Sequence, residues 1–119
     1  MKTLMANVFM TVYGKEGLKE LARQNLAKTA YAVEQFRKAG ATVLFEGAPR
    51  FNEFVVQTKA DPYSINDRLL QQRILGGFPV LKRFYPELGT KGAKDVALWC
   101  CTELVSRPSI DAAAKAVAQ

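Results

Sequence analysis

The chain has 119 residues, enough for one domain that buries about two thirds of its unfolded surface. Hydrophobic residues make up 49% and charged residues 24%, which excludes a disordered chain, and no stretch approaches the ~20 apolar residues of a membrane span. The net charge of +6, from 17 basic and 11 acidic residues, suits an acidic partner or nucleic acid but equally a solvated basic surface.

The first segment carries Leu4, Met5, Val8, Phe9, Val12 and Tyr13, which wrap more than one side of a helical wheel. Such a helix needs burial against several neighbours, or against something outside this chain. Met1 to Asn7 lacks a clean apolar run and a small-residue cleavage site, so it does not read as a signal peptide. Gly14 and Gly17 interrupt the pattern. From Gly17 to Ala39, Leu18, Leu21, Ala22, Leu26, Ala30, Val33 and Phe36 recur at helical spacing, and Gly40 is a C-terminal stop.

Thr42–Phe45 and Phe51–Gln57 read as strands, β-branched and aromatic, with Gly47-Ala48-Pro49 between them. Asp61-Pro62 predicts a capped helix start, and an apolar stripe of Ile65, Leu69, Leu70 and Ile74 runs to Gly76-Gly77, which must end the helix. Phe78–Tyr85 is a strand or extended segment, where Pro79 implies an edge or a start. Residues 86–95 form a loop. Val96–Thr102 is the most apolar strand and so the central one. Ser106 caps a last helix with Ile110, Ala113, Ala114 and Val117 inward.

Short loops between neighbouring strands favour antiparallel pairing. The expected fold is therefore α+β, a two-layer sandwich of a mostly antiparallel sheet with helices packed on it.

The chemistry available is limited. There is no histidine, which removes imidazole bases, Ser-His and Cys-His pairs and most zinc sites, so no metal site is expected. Cys100 and Cys101 are adjacent, which suits neither a structural disulfide nor a reactive thiolate; both lie in an apolar run and read as buried packing in a reducing, cytoplasmic or organelle-matrix setting.

Several stretches together resemble one family. They are Gly17–Lys28, Phe51-Asn52-Glu53-Phe54-Val55-Val56, Ile74–Phe78 through Tyr85-Pro86-Glu87-Leu88, and Cys101-Thr102-Glu103 followed by Ser106-Arg107 and Ile110-Asp111. Their order and spacing resemble the C-terminal end of the glycine cleavage system P-protein family, most closely the first of the two subunits of its split bacterial form, across essentially the whole chain. The resemblance implies the aspartate-aminotransferase-like fold of pyridoxal phosphate (PLP) enzymes, with residues 17–119 as a C-terminal small domain. Residues 1–16 would then be a helix leading in from a large domain that covers its apolar face. It further implies a cytoplasmic enzyme that decarboxylates glycine on PLP and passes the aminomethyl group to a lipoyl H-protein. The PLP lysine would lie in the second P-protein subunit. No PLP lysine motif is evident here, so no catalytic residue is assigned and the chain alone is expected to be inactive.

Candidate cleft residues can then be named, each with a plainer alternative. Asn52 and Glu53, flanked by Phe51 and Phe54, could hydrogen-bond near a cofactor cleft or simply satisfy a turn. Thr102 and Glu103 could lie at the carboxyl edge of the central strand or cap its end. Arg73 and Arg83 could hold a carboxylate or phosphate of a carrier, or stay solvated. Gly76-Gly77 could admit a ligand close to the backbone, although capping is the commoner use. Two other functions are distinguishable: a freestanding module that forms a homo-oligomer through the Leu4–Tyr13 helix, and a basic nucleic-acid binder. The latter rests on Lys82-Arg83-Phe84-Tyr85 with Lys91 and Lys94, which interleave cations and aromatics without a recognised RNA-binding motif.

Overall fold

A computed structural model describes residues 1–80 and 96–118. Helix α1 spans Lys2–Lys38 but contains a break at Gly14, with φ 69° and ψ −178°. Only glycine adopts that backbone readily, so residues 2–13 and 15–38 are two helical stretches joined by a kink. In the second stretch the buried side chains are Asn25, Thr29, Ala32, Val33 and Phe36, a stripe at helical spacing. Leu26 and Ala30, expected inward, are exposed. The inward face is centred on Asn25 and Thr29 instead, two polar residues that hydropathy alone places outside.

Helix α1 stops where Gly40 takes φ 93°. The Gly40 N–H donates to Arg37 O and the Ala41 N–H donates to Phe36 O, the two bonds of a Schellman turn. Strand β1 is Thr42–Leu44. Phe45 leaves the strand with φ 56° and its carbonyl accepts from the Ala48 N–H, so β1 ends one residue before the expected Phe45. Strand β2 is Glu53–Gln57, shorter than expected at its start.

Helix α2, Pro62–Gln71, begins as expected. The Asp61 side chain accepts from the Tyr63 N–H and Pro62 sits in the first turn. Its end differs. Arg73, not glycine, occupies the left-handed position with φ 61°, while its N–H donates to Leu70 O and the Ile74 N–H to Leu69 O. This second Schellman turn closes the helix ahead of Gly76-Gly77, so capping is not what those glycines do.

Strand β3 is Phe78–Pro79 and β4 is Val96–Cys100. The expected loop at 86–95 and the end of the segment Phe78–Tyr85 lie outside the described residues. Helix α3 is Arg107–Ala118, its first turn capped by Ser106 Oγ, which accepts from the Ser109 N–H at 3.3 Å.

The sheet order is β1-β2-β4-β3. Every pairing is antiparallel. Val96–Cys100 is an interior strand and Pro79 falls on an edge strand, where its missing N–H breaks no central ladder. One face carries Val43, Phe54, Val56, Ala97 and Trp99, all buried against residues of the three helices. Phe36 of α1, 1% exposed, meets the Trp99 and Phe54 rings edge-on at centroid distances of 4.8 and 5.5 Å. Burying a ring of this size contributes about 1.5–3 kcal/mol, so this trio fixes α1 to the sheet. The architecture is α+β, as the pattern of elements implied.

Candidate functional site

A concavity opens where α1, the end of β4 and the start of α3 converge. Its volume is about 360 Å³, and its walls include Phe36, Trp99, Cys101 and Ile110. Local turn chemistry shapes its rim. The Schellman turn after α2 delivers Arg73, Ile74 and Leu75 to one side, and the turn 102–105 delivers Leu104 and Val105 to the other. Ser106 and Ser109 line it at the capped start of α3. Arg73 is the single charged side chain in this lining.

Gly76 and Gly77 support this rim by close packing. A Cβ on Gly77 would lie 2.8 Å from Trp99 Cε2 and Nε1, and one on Gly76 would lie 2.1 Å from Asn66 Oδ1. Asn66 Nδ2 in turn donates to Gly77 O at 2.9 Å. The glycines are therefore needed because backbone runs against an indole and an amide, which is packing and not ligand approach.

The six residues singled out from the sequence separate into three groups. Asn52 and Glu53 sit at the start of β2, where Asn52 O accepts from the Cys101 N–H at 2.8 Å and Glu53 stands opposite Cys100. Thr102 and Glu103 continue directly from the end of β4, so the sheet brings these four to one end. None of the four lines this cleft. Thr102 Oγ1 accepts from the Leu104 N–H and Thr102 O from the Val105 N–H, so it builds the turn. Glu103 Oε2 accepts from Asn25 Nδ2 at 2.9 Å, and its carbonyl accepts from Lys28 Nζ. Arg73 lines the cleft. Arg83 lies outside the described residues, as do Lys82, Phe84, Tyr85, Lys91 and Lys94.

The sequence left Asn25 and Lys28 unremarked, yet they hold Glu103. The signal for Asn25 was its place among apolar positions at helical spacing, where a polar residue needs a partner. Tyr31 was missed similarly: its hydroxyl donates to Asp111 Oδ1 at 2.7 Å while Arg107 lies over its ring, tying α1 to α3.

The two cysteines are free, with Cys101 buried and Cys100 exposed, so burial was correctly expected for only one of them. Burial raises the Cys101 thiol to about 11, reinforced by Cys100 and opposed by Lys28. Cys100 is also raised, first by desolvation and then by the charge of Glu53. Both shifts favour the thiol over the nucleophilic thiolate. Among the described residues there is no cluster of three metal-ligating side chains and no helix long and apolar enough to cross a membrane. The cleft offers apolar walls, hydroxyls and a guanidinium, without a general base in its lining.

Comparison with known proteins gives a consistent relationship. The family model described as Glycine cleavage system P-protein matches residues 1–112. A probable glycine dehydrogenase (decarboxylating) subunit 1 from Koribacter versatilis is 64% identical over 116 residues, covering 98% of this chain and 25% of that protein. Its counterpart in Solibacter usitatus is 48% identical over 92% of this chain, and that in Bacillus thuringiensis 45% over 93%. A crystal structure of glycine decarboxylase (P-protein) of the glycine cleavage system, in inhibitor-bound form, has the same fold. It gives a TM-score of 0.78 at 23% identity, over 97% of this chain and 24% of that one. The chain spans about a quarter of the length of the curated relatives it matches.

Proposed function

The chain belongs to the glycine cleavage system P-protein family, and on that premise we propose that it is a non-catalytic portion of a decarboxylating glycine dehydrogenase subunit 1. Its work is to frame one side of an active-site cleft and to make contacts with the rest of the enzyme. The observation that carries this reading is 64% identity across 98% of the chain to a subunit about four times its length.

The residues present do not fit a PLP site by themselves. No lysine lines the 360 Å³ cleft, and its one cation is Arg73 on the rim. PLP, when bound in the complete enzyme, supplies the electron sink for loss of the glycine carboxylate. No proton transfer or covalent step falls to the described residues of this chain. The second P-protein subunit and a lipoyl H-protein are the partners of the same reading, in a cytoplasmic enzyme. The net charge of +6 favours an acidic carrier, and that contribution would weaken as salt is raised.

The test is release of carbon dioxide from carboxyl-labelled glycine, with PLP and a lipoyl carrier present. The complete two-subunit enzyme should be active, the 119-residue chain alone inactive, and the enzyme lacking this region inactive. Release by the isolated chain, or full activity without the region, contradicts the proposal.

A further inference from the structure

The cleft between α1, the end of β4 and the start of α3 combines apolar walls with uncommitted hydrogen-bond donors. Phe36, Ile74, Trp99, Val105 and Ile110 contribute to the walls, and no carboxylate belongs to the lining. Among the described residues the Arg73 side chain makes no ion pair and no hydrogen bond. Ser106 Oγ is engaged twice, accepting from the Ser109 N–H at 3.3 Å and donating to Ser109 Oγ at 3.0 Å. That leaves the Ser109 hydroxyl proton without an acceptor. Helix α3 starts with Arg107 and has no acidic residue in its first turn, so its own sequence supplies no negative charge to the positive end of its dipole. Leu75 and Leu104, on opposite sides of the mouth, are 88% and 87% exposed.

These features select a ligand. A volume of about 360 Å³ falls within the roughly 300–1,000 Å³ of small-molecule sites, where a few polar groups orient a mostly apolar body. One guanidinium suits a carboxylate, which takes two parallel hydrogen bonds from arginine. A phosphate dianion would leave part of its charge unpaired beside a single cation. Glycine, with no apolar body, would leave the aromatic and aliphatic walls wet and gain nothing from them. Leu75 and Leu104 provide apolar surface that a bound hydrocarbon group can cover.

We propose that this cleft binds a small monocarboxylate with an apolar body, its carboxylate held by Arg73 and the Ser109 hydroxyl and its body against Phe36, Trp99 and Ile110. The proposal goes beyond the reading above and does not depend on it.

Phenylpropionate is the probe, with phenylpropanol as the same body without the charge. Trp99 is the one tryptophan of the chain and part of the cleft wall, so its fluorescence reports occupancy. Phenylpropionate should shift the emission saturably, with a Kd of about 1 mM or tighter. Phenylpropanol should bind at least about tenfold more weakly. Arg73→Met should cost phenylpropionate at least about tenfold in affinity and leave phenylpropanol unchanged, and Arg73→Lys should fall between. Ser109→Ala should weaken phenylpropionate roughly threefold. No saturable shift, equal affinity for acid and alcohol, or full affinity in Arg73→Met overturns the proposal. Glycine binding as tightly as phenylpropionate also overturns it and makes the cleft an amino-acid subsite. Calorimetry on the complete subunit should return the same Kd within about threefold; loss of binding there would mean that other polypeptide fills the cleft, and the proposal falls. No arm of the test measures glycine turnover, so the site and the enzyme assignment can fail separately.

Discussion

Gly40 and Arg73 occupy the same position in two copies of one turn, the left-handed residue of a Schellman motif. Gly40 meets the requirement without strain. Arg73 bears a Cβ at φ 61°, which costs on the order of 1 kcal/mol relative to glycine and is only partly offset by glycine's greater unfolded-state entropy. Arg73→Gly should therefore stabilise the chain by about 0.5–1 kcal/mol, while Gly40→Ala destabilises it by about 1 kcal/mol or more. Urea denaturation of the pair reads both signs. A loss of stability in Arg73→Gly would show that the guanidinium, not the backbone, decides that site. Cys101 gives a pH-dependent counterpart. Its thiol is raised from 9.0 to about 11 by burial, so the folded state holds the proton longer than the unfolded one. That stabilisation is complete below about pH 9 and is lost as pH climbs toward 11, for a total on the order of 2 kcal/mol. Cys101→Ala should flatten this alkaline decline; an unchanged slope would place its origin elsewhere.

At the scale of elements, the turn 102–105 is fastened to α1 by side chains from a different part of the chain. Asn25, 7% exposed, donates both to Leu21 O and to Glu103 Oε2, and Lys28 donates to Glu103 O. Glu103→Ala leaves a buried amide with one partner fewer, which costs about 1–2 kcal/mol. Glu103→Gln retains an acceptor and should recover part of that. Equal stability of the alanine and wild-type chains in thermal melts would mean that water replaces the carboxylate. This contact also marks what the sequence left illegible. Hydropathy spacing located the two stretches of α1 and the inward face of α3, glycine marked the break at Gly14 and the Asp61-Pro62 cap the start of α2, because each depends on neighbours within a turn or two. It misplaced Leu26 and Ala30, since their outward position follows from Asn25 and Thr29 turning inward, and the partner of Asn25 is 78 positions away. The α2 end was misread for a different reason: glycine signals a left-handed cap, but here arginine takes that angle and the glycines serve Trp99 and Asn66.

At the scale of the whole molecule, the same logic explains why family and fold were readable while a site was not. Asn52, Glu53, Thr102 and Glu103 do gather at one sheet end, yet the described cleft is built from other residues, among them Arg73 and Trp99. The chain spans about a quarter of the length of the relatives it matches, and a stretch of that size need not carry a complete site motif. The molecule's dimensions carry the same message. Its radius of gyration is 15.8 Å and its longest extent is 46 Å against 30 and 29 Å in the other directions. A compact chain of this length would have a radius near ~13.5 Å. The helix 2–13 accounts for the elongation, because it projects past Gly14 with its apolar side chains exposed. If it contributes nothing to this core, deleting residues 1–13 should change unfolding free energy by no more than about 0.5 kcal/mol. X-ray scattering should at the same time show the radius falling to roughly 13 Å. The hydrophobic surface lost would be solvent-facing in the isolated chain, so the truncated form should also be the more soluble. A destabilisation above about 2 kcal/mol would instead mean that the helix folds back onto the sheet in solution and buries apolar area there. The helix would then belong to this domain's own core.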